Sequence, residues 1–520
     1  MSASRQKKLR TEQKATVSET KMRQAKEDKK AARQLKVWSI IFYVAVIAIA
    51  VGLLIGGIYS SGLLHRVFTA ATVGEHKISA AEMNYFYCDT VNANTALPYM
   101  VKSDKGLDEQ IQDKDTGATW ADYCMDQAII QARTIYGIYD EAMANGFTLS
   151  EEGQSQIDMS ISSMDAYAKL SGFTSGNAMI RANYGIGCNL KTYEKYLTVK
   201  QIAMDYSNSV GEALVASEEE IAAEVEENGA TYSTYSYRLL DIALDEYYEG
   251  EAGEDGKYTE EQTEAALAAA LEAAEAQAKE LKGQAETFAE NKDSVLKEEI
   301  VYNSTPSDVR EWLTAPERKV GDTTAVENSA GNGVTIAMFL GSDDQTGIQP
   351  INVRHILIEF EGTANEDGTP TEEQIATATE KAQAILDSWK EGEATEESFG
   401  TLANENSTDT GSNTTGGLYE NVYPGMMVTE FNDWCFDESR KSGDTGLVQT
   451  QYGVHVMYFV SESADELNFR DYQAEATILN NKFNEWNSGI TEAMTAETGF
   501  GMKMTNKNIY INPNNAMSLS

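Results

Sequence analysis

Cysteine is scarce: the 520 residues contain four, Cys88, Cys124, Cys188 and Cys435, far apart and with no CxxC pair. That spacing offers neither a dense disulfide framework nor a thiolate metal site. None precedes Cys88, so no thiol stands near the amino terminus to carry a lipid. Basic residues are scarce too. Residues 60–520 hold 29 Lys/Arg against 78 Asp/Glu, a net charge of −49. A body so acidic repels phosphate backbones, which excludes nucleic-acid binding by this part. Histidine occurs only four times. Between positions 37 and 59 there is no charge of either sign.

That uncharged run, Val37 to Tyr59, is 23 residues long. As a helix it measures about 34 Å, against a hydrocarbon core of about 30 Å. A buried core helix of this length would show a polar face, and this one has none. A cleaved signal peptide has a shorter apolar region and a shorter basic leader. The pattern therefore predicts a retained signal-anchor, a single transmembrane helix at 37–59. Residues 1–36 hold 12 Lys/Arg and 4 Asp/Glu. Their net charge of +8 sets the amino terminus in the cytoplasm and the acidic body outside the cell membrane. The leader reads as a solvated, partly helical tail enforcing that topology; an RNA-binding arm or a headgroup contact are the other uses of such a run.

Length alone suggests roughly three domains. Residues 60–230 read as mostly helical. Ala71–Ser79 looks like a short strand and turn, leading into a capping box, Ser79 with Glu82. Helical patterns follow at 119–145, 150–170 and 189–211, and Ser217 with Glu220 opens another helix. The Tyr, Met and Phe residues on these faces read as core. The Gly185-Ile-Gly187 pair lacks the strand–turn–helix setting of a nucleotide loop. At the other end, Asp465–Glu497 within segment 463–520 has an apolar stripe of helical period that includes Leu467, Phe483, Trp486, Ile490 and Met494. Such a stripe needs a partner surface, for which the amino-terminal helical domain is the candidate.

The segment 346–462 is mixed. A strand, Ile351–Phe360, precedes a helix over 371–390 opened by Thr371 and Gln374. A polar, turn-rich stretch and an aromatic helix, Thr429–Phe436, follow, and a strand at Gly453–Phe459 closes the segment. Each outer strand carries a histidine flanked by apolar residues, His355 and His455, so both can enter one interior. Read without a family, they are either a working pair or a mutually bonded buried pair that only holds the fold. No third or fourth ligand is spaced for a metal site.

Seven motifs in order carry a resemblance to the parvulin family of peptidyl-prolyl isomerases. They are Val-Arg-His-Ile-Leu at 353–357, Ser-Thr-Asp at 407–409, Gly-Gly-Leu at 416–418, Pro-Gly-Met-Met at 424–427, Phe431, Gly-Asp-Thr-Gly at 443–446 and Tyr-Gly-Val-His at 452–455. The whole arrangement resembles membrane-attached extracytoplasmic foldases of the PrsA/SurA type, with an anchor helix in place of a lipidated cysteine. The resemblance implies a catalytic group of His355, Asp409, His455 and Thr450. It implies substrate contacts from Met427, Phe431, Leu418 and Tyr452, with no metal and no cofactor. Phosphate recognition would need basic residues in the loop after the first strand, and 359–373 has neither Lys nor Arg. Neutral or basic residues before proline should therefore be preferred.

The stretch 231–345 repeats the pattern. Tyr237–Leu244 matches Val353–Phe360, Thr259–Gln262 matches Thr371–Gln374, Arg310–Leu313 matches Asn432–Cys435, and Gly333–Ile336 matches Gly453–Val456. The offsets run from 112 to 122 and drift only in loops, as in a diverged tandem repeat. Leu239 and Thr335 replace the histidines, and the Gly-Gly-Leu and Pro-Gly-Met-Met stretch has no counterpart. Chance similarity of Ala/Glu-rich helices is the other explanation.

The expectation is thus an α+β chain: a helical chaperone domain and two parvulin-like α/β domains, the first degenerate, behind one transmembrane helix. The function expected is a peptidyl-prolyl isomerase and chaperone acting on unfolded or newly exported polypeptides with X-Pro bonds. The rival is a non-catalytic holdase that binds unfolded or proline-containing segments.

Overall fold

A computed structural model describes residues 3–253, 257–362, 365, 368–463 and 466–511. The chain divides into two compact units, one of residues 1–214 with 483–520, the other of residues 215–482.

The first unit begins with α1 (Ala3–Ser60), in which basic leader and apolar run form one continuous helix. It holds one stretch long and apolar enough to cross a membrane, none of it buried in protein. After α2 (Leu63–Val67), β1 (Thr69–Val73) and β2 (His76–Ser79) form an antiparallel hairpin. Ser79 then caps α3 (Ala80–Ala93). Its hydroxyl accepts the Glu82 N–H at 3.2 Å, and the Glu82 carboxylate accepts the Ser79 N–H at 2.9 Å. Such a cap stabilises a helix by about 1 kcal/mol. Then come α4 (Leu97–Met100), α5 (Trp120–Ala144), α6 (Glu151–Leu170), α7 (Gly176–Tyr184) and α8 (Leu190–Ala213). Tyr85, Phe86 and Tyr87 of α3 are fully buried against Ala121, Ala128 and Ala132 of α5 and Tyr196 of α8. Small residues on α5 make room for large rings, the size alternation that close packing requires.

The second unit opens with α9 (Glu218–Asn228) and then builds one design twice. The first copy runs β3 (Thr234–Ala243), α10 (Glu260–Leu281), α11 (Ala285–Glu290), β4 (Val295–Val301), α12 (Ser307–Leu313), β5 (Thr323–Glu327), β6 (Gly333–Asp343). The second runs β7 (Ile351–Glu359), α13 (Glu372–Glu391), α14 (Glu396–Asn406), β8 (Leu418–Val422), α15 (Thr429–Cys435), β9 (Thr445–Gln449), β10 (Gly453–Glu462). Both sheets are antiparallel, in the orders β4-β3-β6-β5 and β8-β7-β10-β9.

The likeness extends to single bonds. Arg318 stacks on Trp312 at 4.1 Å and Arg440 on Trp434 at 4.0 Å, and each guanidinium Nε–H donates to that tryptophan's carbonyl at 3.0 Å. The N–H of Gly321 donates to the Phe339 carbonyl, and that of Gly443 to the Phe459 carbonyl, both at 2.8 Å. Chance similarity of Ala/Glu-rich helices does not reproduce such detail.

Strand alternation divides each inner strand between two cores. In the second copy Ile356, Ile358, Val454 and Val456 face Ala378, Ala382 and Leu386 of α13. On the other face Val353, Met457 and Phe459 pack with Phe431 and Cys435 of α15.

The chain ends with α16 (Phe469–Ala493) and β11 (Ala496–Thr498). Residues of α16 up to 482 belong to the second unit and those from 483 to the first. Within the first unit, the Trp486 indole N–H donates to Glu141 at 3.1 Å and the Arg133 Nε–H to the Met494 carbonyl at 2.6 Å. The helix expected to reach Glu497 stops short. Ala496 and Thr498 pair instead with Val73 and Ala71 of β1. A three-residue edge strand is too short to display an alternation. Asp465, the expected start of this helix, lies outside the described residues.

Candidate active site

His355 lies opposite Met457 in the β7–β10 ladder, and His455 lies opposite Leu357. Residues two apart on a strand share a face, so this register sets the two imidazoles side by side on the α15 face. Their Nδ1 atoms are 2.9 Å apart, and both rings are buried. The Phe431 ring meets both edge to face, with centroids 5.5 Å from His355 and 5.4 Å from His455.

From this pair a line of hydrogen bonds runs outward in both directions. His355 Nε2 is 2.9 Å from Asp409 Oδ2 and 3.1 Å from Ser412 Oγ. The same carboxylate oxygen accepts the Ser412 hydroxyl and the Tyr419 hydroxyl, the latter at 2.9 Å, and Asp409 Oδ1 accepts the Gly411 N–H at 3.2 Å. At the other end His455 Nε2 is 2.9 Å from Thr450 Oγ1, which accepts the Tyr452 N–H at 3.2 Å.

Charge state fixes the direction of this line. Burial raises the Asp409 carboxyl, but hydrogen bonds from Ser412, His355, Tyr419 and Gly411 outweigh it and hold the group at about 2. Asp409 is therefore ionised and only accepts. Burial pushes His355 below the ordinary imidazole value, against the opposing pull of Asp409. Burial, with the neighbouring His355, takes His455 down to about 4. Both rings are neutral near pH 7, each with one donor and one acceptor nitrogen. His355 must spend its proton on Asp409 from Nε2, so its Nδ1 accepts from His455 Nδ1–H. His455 Nε2 then accepts the Thr450 hydroxyl. Every donor meets an acceptor in one sense only: Tyr452 N–H, Thr450, His455, His355, Asp409.

Backbone geometry supports the carboxylate end. The His355 N–H donates to the Gly417 carbonyl at 2.8 Å, and Gly417 sits at φ +70°. A Cβ there would fall 2.1 Å from the His355 carbonyl oxygen, so only glycine fits.

Of the eight residues expected at the site, His355, His455, Asp409 and Thr450 are hydrogen-bonded in series. Phe431 and Met427 belong to the apolar cluster beneath them. The Tyr452 side chain is exposed, and its backbone N–H is what reaches the line. Leu418 is a correction. It pairs with Arg354, so it lies on the face opposite the histidines, and the next residue, Tyr419, is the one that enters the site. The Gly-Gly-Leu motif marked the segment but not which residue faces inward. Ser412 and Tyr419 were missed, although β-strand parity counted from Gly417 would have selected Tyr419.

In the first copy the corresponding place is built differently. Leu239 replaces one histidine, and Thr335 replaces the other and donates its hydroxyl to Asp241 Oδ1 at 2.6 Å. These residues, with Val309 and Asn328, line a cavity of 460 Å³.

The arrangement holds no strongly basic side chain and no activated nucleophile. It offers a neutral, directionally fixed hydrogen-bond line that ends in a partly exposed carboxylate beside an aromatic floor. Such a site acts by polarity and shape rather than by covalent chemistry.

Residues 338–462 match the family model of the PPIC-type PPIASE domain. The chain is 33% identical over 113 residues to foldase protein PrsA 1 of Listeria innocua, covering 22% of this chain and 31% of that protein. It is 33% identical over 142 residues to chaperone SurA of Pseudomonas putida, covering 26% of this chain and 29% of that one. The chain thus spans under a third of the length of these curated relatives. Among solved structures, PrsA from Bacillus subtilis aligns with 80% of this chain and 100% of its own at 14% identity, with a TM-score of 0.27.

Proposed function

We propose that this PPIC-type domain makes the protein a membrane-anchored peptidyl-prolyl cis-trans isomerase and foldase for polypeptides outside the cytoplasmic membrane. The observation that carries the reading is the buried His355–His455 pair, wired to the Asp409 carboxylate above Phe431. Rotation about an amide has a barrier of about 18–20 kcal/mol because resonance holds the bond planar. For X-Pro bonds this means tens of seconds without catalysis. An enzyme needs only to favour the twisted imide over the planar one. In this reading Phe431 and Met427 receive the pyrrolidine ring. Asp409 lies beside the imide carbonyl, where its charge disfavours the charge-separated resonance form. The two histidines and Thr450 position Asp409 and keep it ionised. Ser412 and Tyr419 hold the same carboxylate from the other side.

The apolar run of α1 supports an anchor, and its net +8 leader supports a cytoplasmic amino terminus with the isomerase outside. The helical unit, rich in buried aromatics, would hold unfolded segments while the isomerase works on their X-Pro bonds.

The test is turnover of a proline tetrapeptide by the full chain and by Asp409→Asn and His355→Ala chains. Both variants should lose most activity while circular dichroism stays unchanged. Unaltered turnover in folded variants removes this site. Binding of unfolded protein without any turnover, in the unsubstituted chain too, would leave a holdase.

A further inference from the structure

Four apolar side chains stand exposed just past the end of the apolar run. Leu63 and Val67 are 47% and 66% exposed, and Phe68 and Phe500 are 38% and 62% exposed. The two phenylalanines meet edge to face with centroids 5.2 Å apart, so residues distant in sequence form one surface feature. The backbone builds this pairing in. A Cβ on Gly499 would lie 2.5 Å from the Thr69 carbonyl oxygen, and one on Gly501 2.5 Å from that of Phe68. Glycine on both sides lets Phe500 lie this close to β1, where the Gly499 N–H donates to the Ala70 carbonyl at 2.7 Å.

The connection to α1 is short and tied down. The Gly62 N–H donates to the Tyr59 carbonyl at 3.0 Å. The Arg66 guanidinium donates to the carbonyls of Ser61 at 3.3 Å and Gly187 at 3.4 Å, and the Tyr59 ring meets His65 edge to face at 5.4 Å. Chain geometry allows Leu63 no more than about 14 Å, and Phe68 about 20 Å, from Tyr59.

We propose that Leu63, Val67, Phe68 and Phe500 seat in the headgroup zone of the bilayer that Val37–Tyr59 crosses. The proposal rests on the anchor reading. Aromatic rings at the end of a spanning helix favour that zone, and apolar area buried there strengthens attachment. The contact is apolar rather than ionic: Glu497 lines the hollow between Phe68 and Phe500, so anionic lipid is not required.

The experiment uses the full chain in phosphatidylcholine liposomes, with Phe500→Cys or Val67→Cys carrying a nitrobenzoxadiazole label. The four native cysteines are buried and burial pushes their thiols up, to about 11 or 12, so the introduced thiol is the one labelled. Lipids spin-labelled near the headgroup should quench most of the emission at both positions, independently of salt. Adding Phe500→Asp should remove the quenching at position 67 while the chain still floats with the liposomes and keeps its isomerase turnover. A floating chain with unquenched label overturns the proposal and leaves the anchor intact. Shielding of that unquenched label from aqueous iodide would mean that protein, such as a second copy, covers the patch, which also overturns it. A chain that does not float removes the anchor reading and the proposal together.

Discussion

His455 donates its Nδ1 proton to His355 across 2.9 Å, and this one bond sets the tautomer of both rings. Reversing it would turn His355 Nε2, without its proton, toward an ionised carboxylate 2.9 Å away. The remaining bonds of the site depend on that direction.

Thr450→Val removes the hydroxyl that satisfies His455 Nε2. A buried acceptor left without a donor costs about 1–3 kcal/mol. Urea titration should show that loss, and turnover should fall with it. Thr450→Ser should restore both, because only the hydroxyl is used. Equal stability of the valine and serine variants would show that the line does not end there.

Acid should act in two windows. The folded His455 value is about 4, below the ordinary 6.5, so the unfolded chain binds more protons between these values. Its contribution to stability is complete above about pH 6.5 and is lost as pH falls toward 4. Asp409 is also depressed, from 3.8 to about 2, so its contribution is present above 3.8 and is lost below it. Denaturation midpoints measured from pH 8 to 3 should therefore decline below 6.5. Turnover should stay flat to about pH 5 and drop near 4. A His455→Gln chain should show a smaller loss in the upper window, the remainder coming from His355, whose value burial also lowers, and should keep the lower window.

Charge before proline should matter. β7 ends on Glu359, the described part of the loop after it carries Glu361, and Asp409 is ionised at the site; residues 363, 364, 366 and 367 lie outside the described residues. Peptides with Lys or Arg before proline should turn over faster than those with Glu or phosphothreonine. The gap should shrink with added salt, as screening requires. Faster turnover of the phosphorylated peptide would contradict the expectation.

The first copy should be silent. In a full chain inactivated by Asp409→Asn, adding Leu239→His and Thr335→His should not restore turnover. The new imidazoles would face Val309 rather than an aromatic ring, beside a segment with no Gly-Gly-Leu stretch. Recovery of activity would show that two histidines in this sheet suffice.

Much of this was legible in sequence because the signals are local or repeated. Capping boxes at Ser79, Ser217, Thr259 and Thr371 each close around a helix start as spaced. The tandem repeat could be read because matching strands and turns kept their order. The histidine pair could be read because the first and last strands of one segment carried two of the four histidines, each flanked by apolar residues. What escaped depends on parity or distance. Leu418 and Tyr419 differ by one residue, and only the partner strand decides which faces inward. Ser412 acts through a turn, and β11 is recognised only by its pairing with β1.

That last pairing has a consequence in time. Ala71 and Thr498 are bonded neighbours at opposite ends of the chain. Between them lie both four-stranded sheets, whose partners are closer together in sequence. A ribosome adding about 5–20 residues per second needs roughly 20–90 s to travel from one strand to the other. During that interval β1 has no outer partner, and the aromatic helices beside it lack the carboxy-terminal segment that covers them. The unit begun first is therefore the last to close.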